Sequence, residues 1–550
     1  MLRALLNSSD IDRLARMALR RARKASLALA LAVGGPGAMA ADAGKPVPGG
    51  SAVIALDPVG MSNLNPQLTS LSPVLFVADL WADGLIARDK DGKFIPHIAK
   101  SWSVSHDGKT YTFNLRQGLK WSDGEPFTSE DAAFTLAQFS KLNTYMSKLF
   151  PLVDSVSTPD DATFIVQLKQ PVSAALDLFD KETFALMPKH IYDGKDIVSN
   201  PVNRKPIGLG PFKFQSWEEG RAITFARNSY YWDQPKPYLD QIVVALIPNA
   251  QQLLNAMIQG EVDWLQLDFT QIQRAEEASK NGKFKVVKIE VNAPERSTVD
   301  FNMRRNPFDS VEVRRALFHA IDRKRISVDA YRGLAFPATN AIPEQFKAIF
   351  DPSIDYNQIY AFDPKKAGEM LDAAGYPLKD GKRFSLELTY IAVSLFDAIA
   401  KSVAAQWKEV GVETKLVGLD SQIWTDKVYR KNDFDVSLIS LTGRSDPTLG
   451  VDRSFLCNEG HVPYTNPSSY CNLELDRIAR EAGSAPPEQR RALYKQYAEI
   501  VARDLNELTL TNAPTYNAVA TKFQNLDALF NISFNEHPSW ADAWLPENAR

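Results

Sequence analysis

An α/β protein of two or three domains is predicted, on three observations. Strand-period and helix-period segments alternate along most of the chain, an order that argues for α/β layers. At 550 residues the chain exceeds the roughly 250–300 residues at which a single core stops growing. Its composition, 45% apolar and 23% charged, is that of an ordinary globular protein, and disorder is not its theme.

The elements follow in chain order. Residues 41–50, rich in Ala, Gly and Pro, read as a flexible segment, and the apolar run 52–56 as the first buried strand. Asp91-Gly92 and Asp107-Gly108 are turn signals, after which Tyr111, Phe113 and Leu115 alternate with Thr112, Asn114 and Arg116 as in a half-buried antiparallel strand. Thr128, with Asp131 three positions on, resembles a capping box that opens a helix, and 162–168 reads as another strand, ended by Pro171. A second block opens at Gly208-Leu209-Gly210-Pro211-Phe212, with strands at 223–225 and 242–245 and helices at 251–259 and 311–321. Beyond it, helices at 364–374, 395–410 and 487–503 alternate with strands at 386–390, 414–417 and 435–439.

The charge is unevenly spread. Seven basic residues (Arg3, Arg13, Arg16, Arg20, Arg21, Arg23, Lys24) oppose only Asp10 and Asp12 in residues 1–40, so a chain of formal charge −3 has a body of −8 once that +5 is set aside. Nucleic acid, which demands clustered basic surface, is not the expected partner. Arg20 to Lys24, the apolar run 27–33 and Ala38-Met39-Ala40 together read as a secretory signal peptide cleaved after Ala40. The run is shorter than the roughly 20 residues a bilayer span needs. Arg20-Arg21 is a weak twin-arginine signal, because Ala22-Arg23 stands where an apolar pair should follow. The only cysteines, Cys457 and Cys471, lie far from the cleavage point, so no lipid anchor is expected. Export favours a disulfide between them, with two separate buried thiols as the alternative; a zinc site needs more ligands than two.

Catalytic signatures do not emerge. The six histidines lack metal-helix spacing, and neither a P-loop nor a serine elbow occurs. Gly208-Leu209-Gly210 lacks the third glycine of a dinucleotide loop and runs into Pro211, so it reads as a turn. An acidic dyad, which sequence does not reveal, keeps a secreted hydrolase as an alternative.

Several stretches, taken together, resemble a known family. They are 84–89 (Gly-Leu-Ile-Ala-Arg-Asp), 94–102 (Phe-Ile-Pro-His-Ile-Ala-Lys-Ser-Trp), 107–116 (Asp-Gly-Lys-Thr-Tyr-Thr-Phe-Asn-Leu-Arg) and 120–126 (Lys-Trp-Ser-Asp-Gly-Glu-Pro). Further marks follow in order: 208–214, Arg227-Asn228 with Tyr231-Trp232, 260–263, Phe308-Asp309 with 313–317, and 371–376. The chain is similar to the extracellular solute-binding proteins of family 5, receptors of peptide, nickel and opine ABC importers. The resemblance implies a periplasmic binding protein of the cluster C type: two lobes joined by a two-strand hinge, with an extra domain inserted in lobe one. Mapped here, 42–84, 208–290 and 511–550 form lobe one, 85–207 the extra domain and 291–510 lobe two. It also implies a small-molecule ligand (a peptide, opine, modified peptide or sugar conjugate), an inner-membrane ABC permease as partner, a periplasmic monomer, and no catalytic residue, metal or cofactor. A receptor coupled to a chemoreceptor is a third reading. Trp121-Ser122-Asp123-Gly124 falls in the extra domain and reads as a hairpin turn.

The resemblance places ligand contacts at Ser70, Ser72, Tyr145, Arg296, Trp424, Asp446 and Tyr516, and from these a mostly polar, aromatic-walled site is expected. In peptide-binding members an aspartate three positions before an Asp-Pro pair holds the ligand amine. Here the pair is Asp446-Pro447 and that position is Gly443, followed by Arg444. A guanidinium there favours an anionic or amine-blocked ligand over ordinary free-amine peptides. The alternative is a structural pairing of Arg444 with Asp446 or Asp452.

Overall fold

The computed structural model describes residues 45–69, 71–89, 93–143, 146, 150–181, 183–289, 295–441, 446–525 and 540–550. The expected leader lies outside them. Among the described residues no helix is long and apolar enough to cross a membrane.

The first apolar run becomes strand Ser51–Leu56, at the centre of a seven-stranded sheet. The sheet runs Phe284–Ile289, Thr515–Ala520, Trp264–Gln266, Ser51–Leu56, Gln241–Leu246, Ala222–Arg227, Phe212–Glu218. Gln241–Leu246 and Trp264–Gln266 flank Ser51–Leu56 on either side, both parallel to it. A parallel strand covered on both faces has to be continuously apolar, which is why this segment shows no alternation. One face packs against helix Ser72–Trp81, where the Phe76 ring stacks on Trp264 with centroids 4.4 Å apart.

A six-stranded sheet follows, ordered Phe336–Pro337, Glu507–Ala513, Glu295–Phe301, Val436–Leu441, Phe384–Ile391, Val412–Leu419. Phe384–Ile391 is parallel to both of its neighbours, with helix Ser394–Glu409 as the crossover to Val412–Leu419. The chain passes between the two large sheets twice, from Ile289 to Glu295 and back from Ala513 to Thr515. Strand Glu507–Ala513 is the last element of the six-stranded sheet before the return crossing. Near these crossings the Phe269 and Tyr331 rings meet edge-on, with centroids 4.8 Å apart.

A separate four-stranded antiparallel sheet runs Ala99–Val104, Thr110–Leu115, Thr163–Leu168, Val153–Asp160. The alternation read at 111–116 is real: Tyr111, Phe113 and Leu115 are buried in a cluster that also holds Trp121 and Phe164. Helix Ser129–Phe139 starts with the expected box, the Asp131 carboxylate accepting the Thr128 backbone N–H at 3.0 Å. Trp121 to Gly124 is a tight turn, with the Gly124 N–H donating to the Trp121 carbonyl at 2.9 Å. The Ser122 N–H then reaches the Gly208 carbonyl at 3.0 Å, tying this unit to the segment that opens the second block.

Gly208-Leu209-Gly210 serves packing. A Cβ on Gly208 would lie 2.0 Å from the Trp81 carbonyl oxygen, and the Gly210 N–H donates to that same oxygen at 2.8 Å. Only glycine lets the backbone pass so close to helix Ser72–Trp81.

Cys457 and Cys471 are disulfide-bonded, closing a loop with a sequence separation of 14. A loop of that length predicts about 3 kcal/mol of stabilisation through restriction of the unfolded chain. The double variant Cys457→Ser/Cys471→Ser should lose roughly that amount in urea unfolding, and unreduced denatured protein should resist alkylation at both positions.

Candidate functional site

Parallel strands send their carboxyl ends to one side of a sheet, and the connections that leave there form a crevice. Both large sheets do this, and their crevices face the same gap. From the seven-stranded sheet come Ala55, Leu56 and Asp57 at the end of the first strand, and, from the three-residue strand beside it, Trp264 at its start with Gln266, Leu267 and Asp268 at and beyond its end. From the six-stranded sheet come Ile391 and Val393 at the end of one parallel strand, and Ile439, Ser440 and Leu441 at the end of the next. The space enclosed is about 510 Å³, within the range of small-ligand sites. The loop after the first strand comes close to the other half, since a Cβ built on Gly60 would sit 3.8 Å from the Ser421 Oγ. Farther out, the Ser173 N–H donates to the Gly483 carbonyl at 2.7 Å, joining the small-sheet unit to helix Leu473–Ser484.

The wall is mostly apolar, contrary to the polar site expected. Leu56, Leu71, Phe76, Leu253, Trp264, Phe269, Leu395, Phe396 and Tyr464 supply most of it. Charged groups also line it, among them Asp57, Asp79, Lys181, Asp268, Glu295 and Arg453. Lys181 pairs with Asp79 at 3.1 Å. Asp268 accepts the Thr270 N–H at 2.7 Å and so opens a short helical turn. The Ser421 Oγ is buried and has no hydrogen-bond partner among the described residues. Among the described residues Asp57 accepts only the Val59 N–H, at 3.1 Å, and burial raises its carboxyl from its ordinary value against that one bond. Among the described residues no group of three or more His, Cys, Asp or Glu is arranged to hold a metal ion.

Of the contacts expected from sequence, Ser72 lines the cavity, at the first turn of helix Ser72–Trp81. Ser70, Tyr145, Gly443 and Arg444 lie outside the described residues. The other four are placed behind the wall. Tyr516 packs its ring edge-on to Phe269, which itself lines the cavity, with centroids 6.1 Å apart. Trp424 is fully buried with Val428, Tyr429 and Phe434. Asp446 takes both carboxylate oxygens to the Arg490 guanidinium, at 2.8 and 2.9 Å, and accepts the Thr448 N–H and hydroxyl. Arg296 donates to the Ala341 carbonyl at 3.0 Å and the Ser454 Oγ at 2.7 Å, and lies 3.5 Å from Glu507. Each of these four groups is satisfied or enclosed by the fold itself, which is why none presents its side chain to the gap.

Sequence reasoning missed Asp57, Lys181, Ser421 and Arg453, all on the wall. For Asp57 a signal existed: an acid placed directly after a buried parallel strand and before Pro58 stands at a crevice edge. The others come from connections with no pattern of their own.

Two α/β halves joined by two crossings, closing a cavity at the carboxyl ends of their parallel strands, define a two-lobed binding protein. The chain belongs to the bacterial extracellular solute-binding proteins, family 5, whose middle-region model matches residues 93–460. A Brucella ovis protein named for ABC-transporter peptide binding is 28% identical over 480 residues, 84% of this chain and 87% of that one. The glutathione-binding protein GsiB of Salmonella typhimurium is 28% identical over 443 residues, 78% and 82% of the two chains. The structure of the ABC transporter substrate-binding protein CtaP from Listeria monocytogenes superimposes with a TM-score of 0.76 at 25% identity, covering 91% of this chain and 100% of that one. The protein is thus a substrate-binding protein of the ABC-importer type.

The buried polar group of the six-stranded sheet yields a prediction. Asp300 and Glu507 are register partners on adjacent antiparallel strands. Burial pushes both carboxyls up, Glu507 raises Asp300 further, and the Arg296 guanidinium opposes the rise in each. Arg296→Met should therefore cost about 3–5 kcal/mol, by leaving a buried acid uncompensated. A raised folded-state value contributes stability that is fully present below the unfolded carboxyl's value, about pH 4, and is lost as pH rises from there through the folded value. Asp300→Asn should match wild type in urea at pH 4 and exceed it increasingly toward pH 8.

Proposed function

We propose that the protein is the periplasmic receptor of an ABC importer, exported by the leader at 1–40, working as a monomer without chemistry of its own. Its lobes close on a peptide-like or anionic small molecule (peptide, opine, modified peptide or sugar conjugate), which it delivers to the inner-membrane permease. In this reading the seven-stranded sheet is the core of lobe one, the six-stranded sheet that of lobe two, and 85–207 the extra domain. The observation that carries it is the cavity of about 510 Å³ walled by the carboxyl ends of strands from both sheets. Two crossings of the chain supply the hinge such closure needs. The apolar wall suits a ligand with an apolar body, held by a few polar groups at its ends.

Within this reading Arg444 grips an anionic group of the ligand. Gly443 stands where peptide receptors carry their amine-binding acid, and the neighbouring guanidinium matches a carboxylate or phosphate bidentately. The kinship with a glutathione-binding protein is in keeping with an anionic ligand.

Native mass spectrometry of protein taken fresh from the periplasm should show a co-purified small molecule. Calorimetry with that molecule should find Arg444→Ala weaker by one to two decades, from a lost charge-assisted bond worth about 1.5–3 kcal/mol. Arg444→Lys should recover only part of the loss. Affinity unchanged in Arg444→Ala removes the arginine from the site, and steady turnover of the bound molecule overturns the receptor reading.

A further inference from the structure

The loop beyond strand Val436–Leu441 sends neighbouring residues into different cores. Val451 and Phe455 pack in the large cluster that holds Leu388, Trp407 and Val436 of the six-stranded half. Leu449, two positions earlier, is buried instead in the cluster of the small sheet, whose other buried members among the described residues lie between Leu85 and Leu209. An apolar side chain of one half thus completes the core of a unit that the chain left at Leu209. The backbone adds a second point of contact, the Ser173 N–H of the small-sheet unit donating to the Gly483 carbonyl at 2.7 Å, near the end of helix Leu473–Ser484.

Arg490, on helix Pro487–Asp504, ties the two points together. Its Nε donates to the Ala482 carbonyl at 3.0 Å and its Nη2 to both Asp446 oxygens, at 2.8 and 2.9 Å. Asp446 in turn accepts the Thr448 N–H, and the Leu449 N–H closes on the Asp446 carbonyl at 3.0 Å. A Cβ built on Gly483 would lie 3.4 Å from the Thr448 Cγ2, so the turn and the helix end adjoin. The planar guanidinium fork fixes both at once. Burying a leucine in another unit's core favours the arrangement that keeps the two together, with or without a ligand.

We propose that the 446–449 turn and the Gly483 carbonyl, set by Arg490, form a latch on the small-sheet unit that holds the empty protein shut. Leu449 is its knob, the Ser173–Gly483 hydrogen bond its second point, and Arg490 a positioning residue away from the cavity wall. The latch goes beyond the receptor reading and rests on the lobe closure that reading contains.

Spin labels on Gln170→Cys and Arg480→Cys, exposed positions on the two sides of the contact, read the gap as a distribution of distances. Cys457 and Cys471 are bonded to each other and take no label. The labelled chain is measured as purified and again after its solute is stripped by unfolding in urea and refolding, alone and with Leu449→Ala, Ser173→Pro or Arg490→Met. Ser173 is the second residue of a turn closed by the Ala175 N–H on the Val172 carbonyl, and its φ is not positive. Proline fits such a position and removes only the donor. After stripping, the short distance should dominate in the chain without these substitutions. Leu449→Ala should lower the ratio of short to long roughly tenfold to a hundredfold, and Ser173→Pro about twofold to tenfold. Arg490→Met should move it the same way while circular dichroism shows the variant folded. If Leu449→Ala does not fold, Ser173→Pro decides. A short distance that turns long on stripping the chain without these substitutions rejects the latch and leaves ligand-driven closure standing. A ratio unmoved in both Leu449→Ala and Ser173→Pro overturns the latch. A distance that neither stripping nor any variant changes, short or long, overturns closure with it.

Discussion

Parallel pairing, at the centre of the seven-stranded sheet and along one side of the six-stranded one, is the constraint on which the rest depends. Two strands hydrogen-bonded in parallel end on the same side, so every connection leaving them is delivered to that side. Ser51–Leu56 with its two parallel neighbours does this in one sheet, and Phe384–Ile391 with its two in the other. The two crossings of the chain then set one set of carboxyl ends against the other. The position of the cavity is a consequence of backbone pairing, and side chains decide only what it accepts.

That division explains what could be read from the sequence. The first strand, the Tyr111-Phe113-Leu115 alternation, the box at Thr128 and Asp131 and the helices near 251 and 364 each depend on residues close together in the chain. They stand within a few positions of where pattern placed them, as Ala250–Gln259 and Pro364–Ala373 show. The family was legible for the same reason, since its marks are short ordered motifs. The cavity draws single residues from 55 to 464, and no local period encodes such a set. Its apolar character was hidden because the residues that supply it, Leu71, Leu253 and Phe396 among them, look like core in any window of sequence.

Arg296 shows how correspondence by position can mislead. It stands on strand Glu295–Phe301, just past the first crossing, as expected of a residue near the cleft, but its guanidinium turns into the sheet's interior. There it meets Ser454, the Ala341 carbonyl and Glu507. An acid pair on neighbouring strands requires a counter-charge, and the nearest long cation on the strand supplies it. Trp424 follows similar logic: a large ring one turn into a short helix is more useful under the wall than on it. Polar groups that do reach the cavity include short ones such as Asp57 and Ser421 and long ones such as Lys181 and Arg453.

The hydrogen bond from the Ser173 N–H to the Gly483 carbonyl involves no residue of the cavity wall. In a two-lobed receptor, any contact across the gap that opening would break favours the shut shape whether or not a solute is present, and so raises how often the empty protein visits it. Apparent affinity scales with that occupancy. Evolution can therefore tune how tightly every solute is held by altering residues that no solute touches, leaving the choice among solutes to the wall.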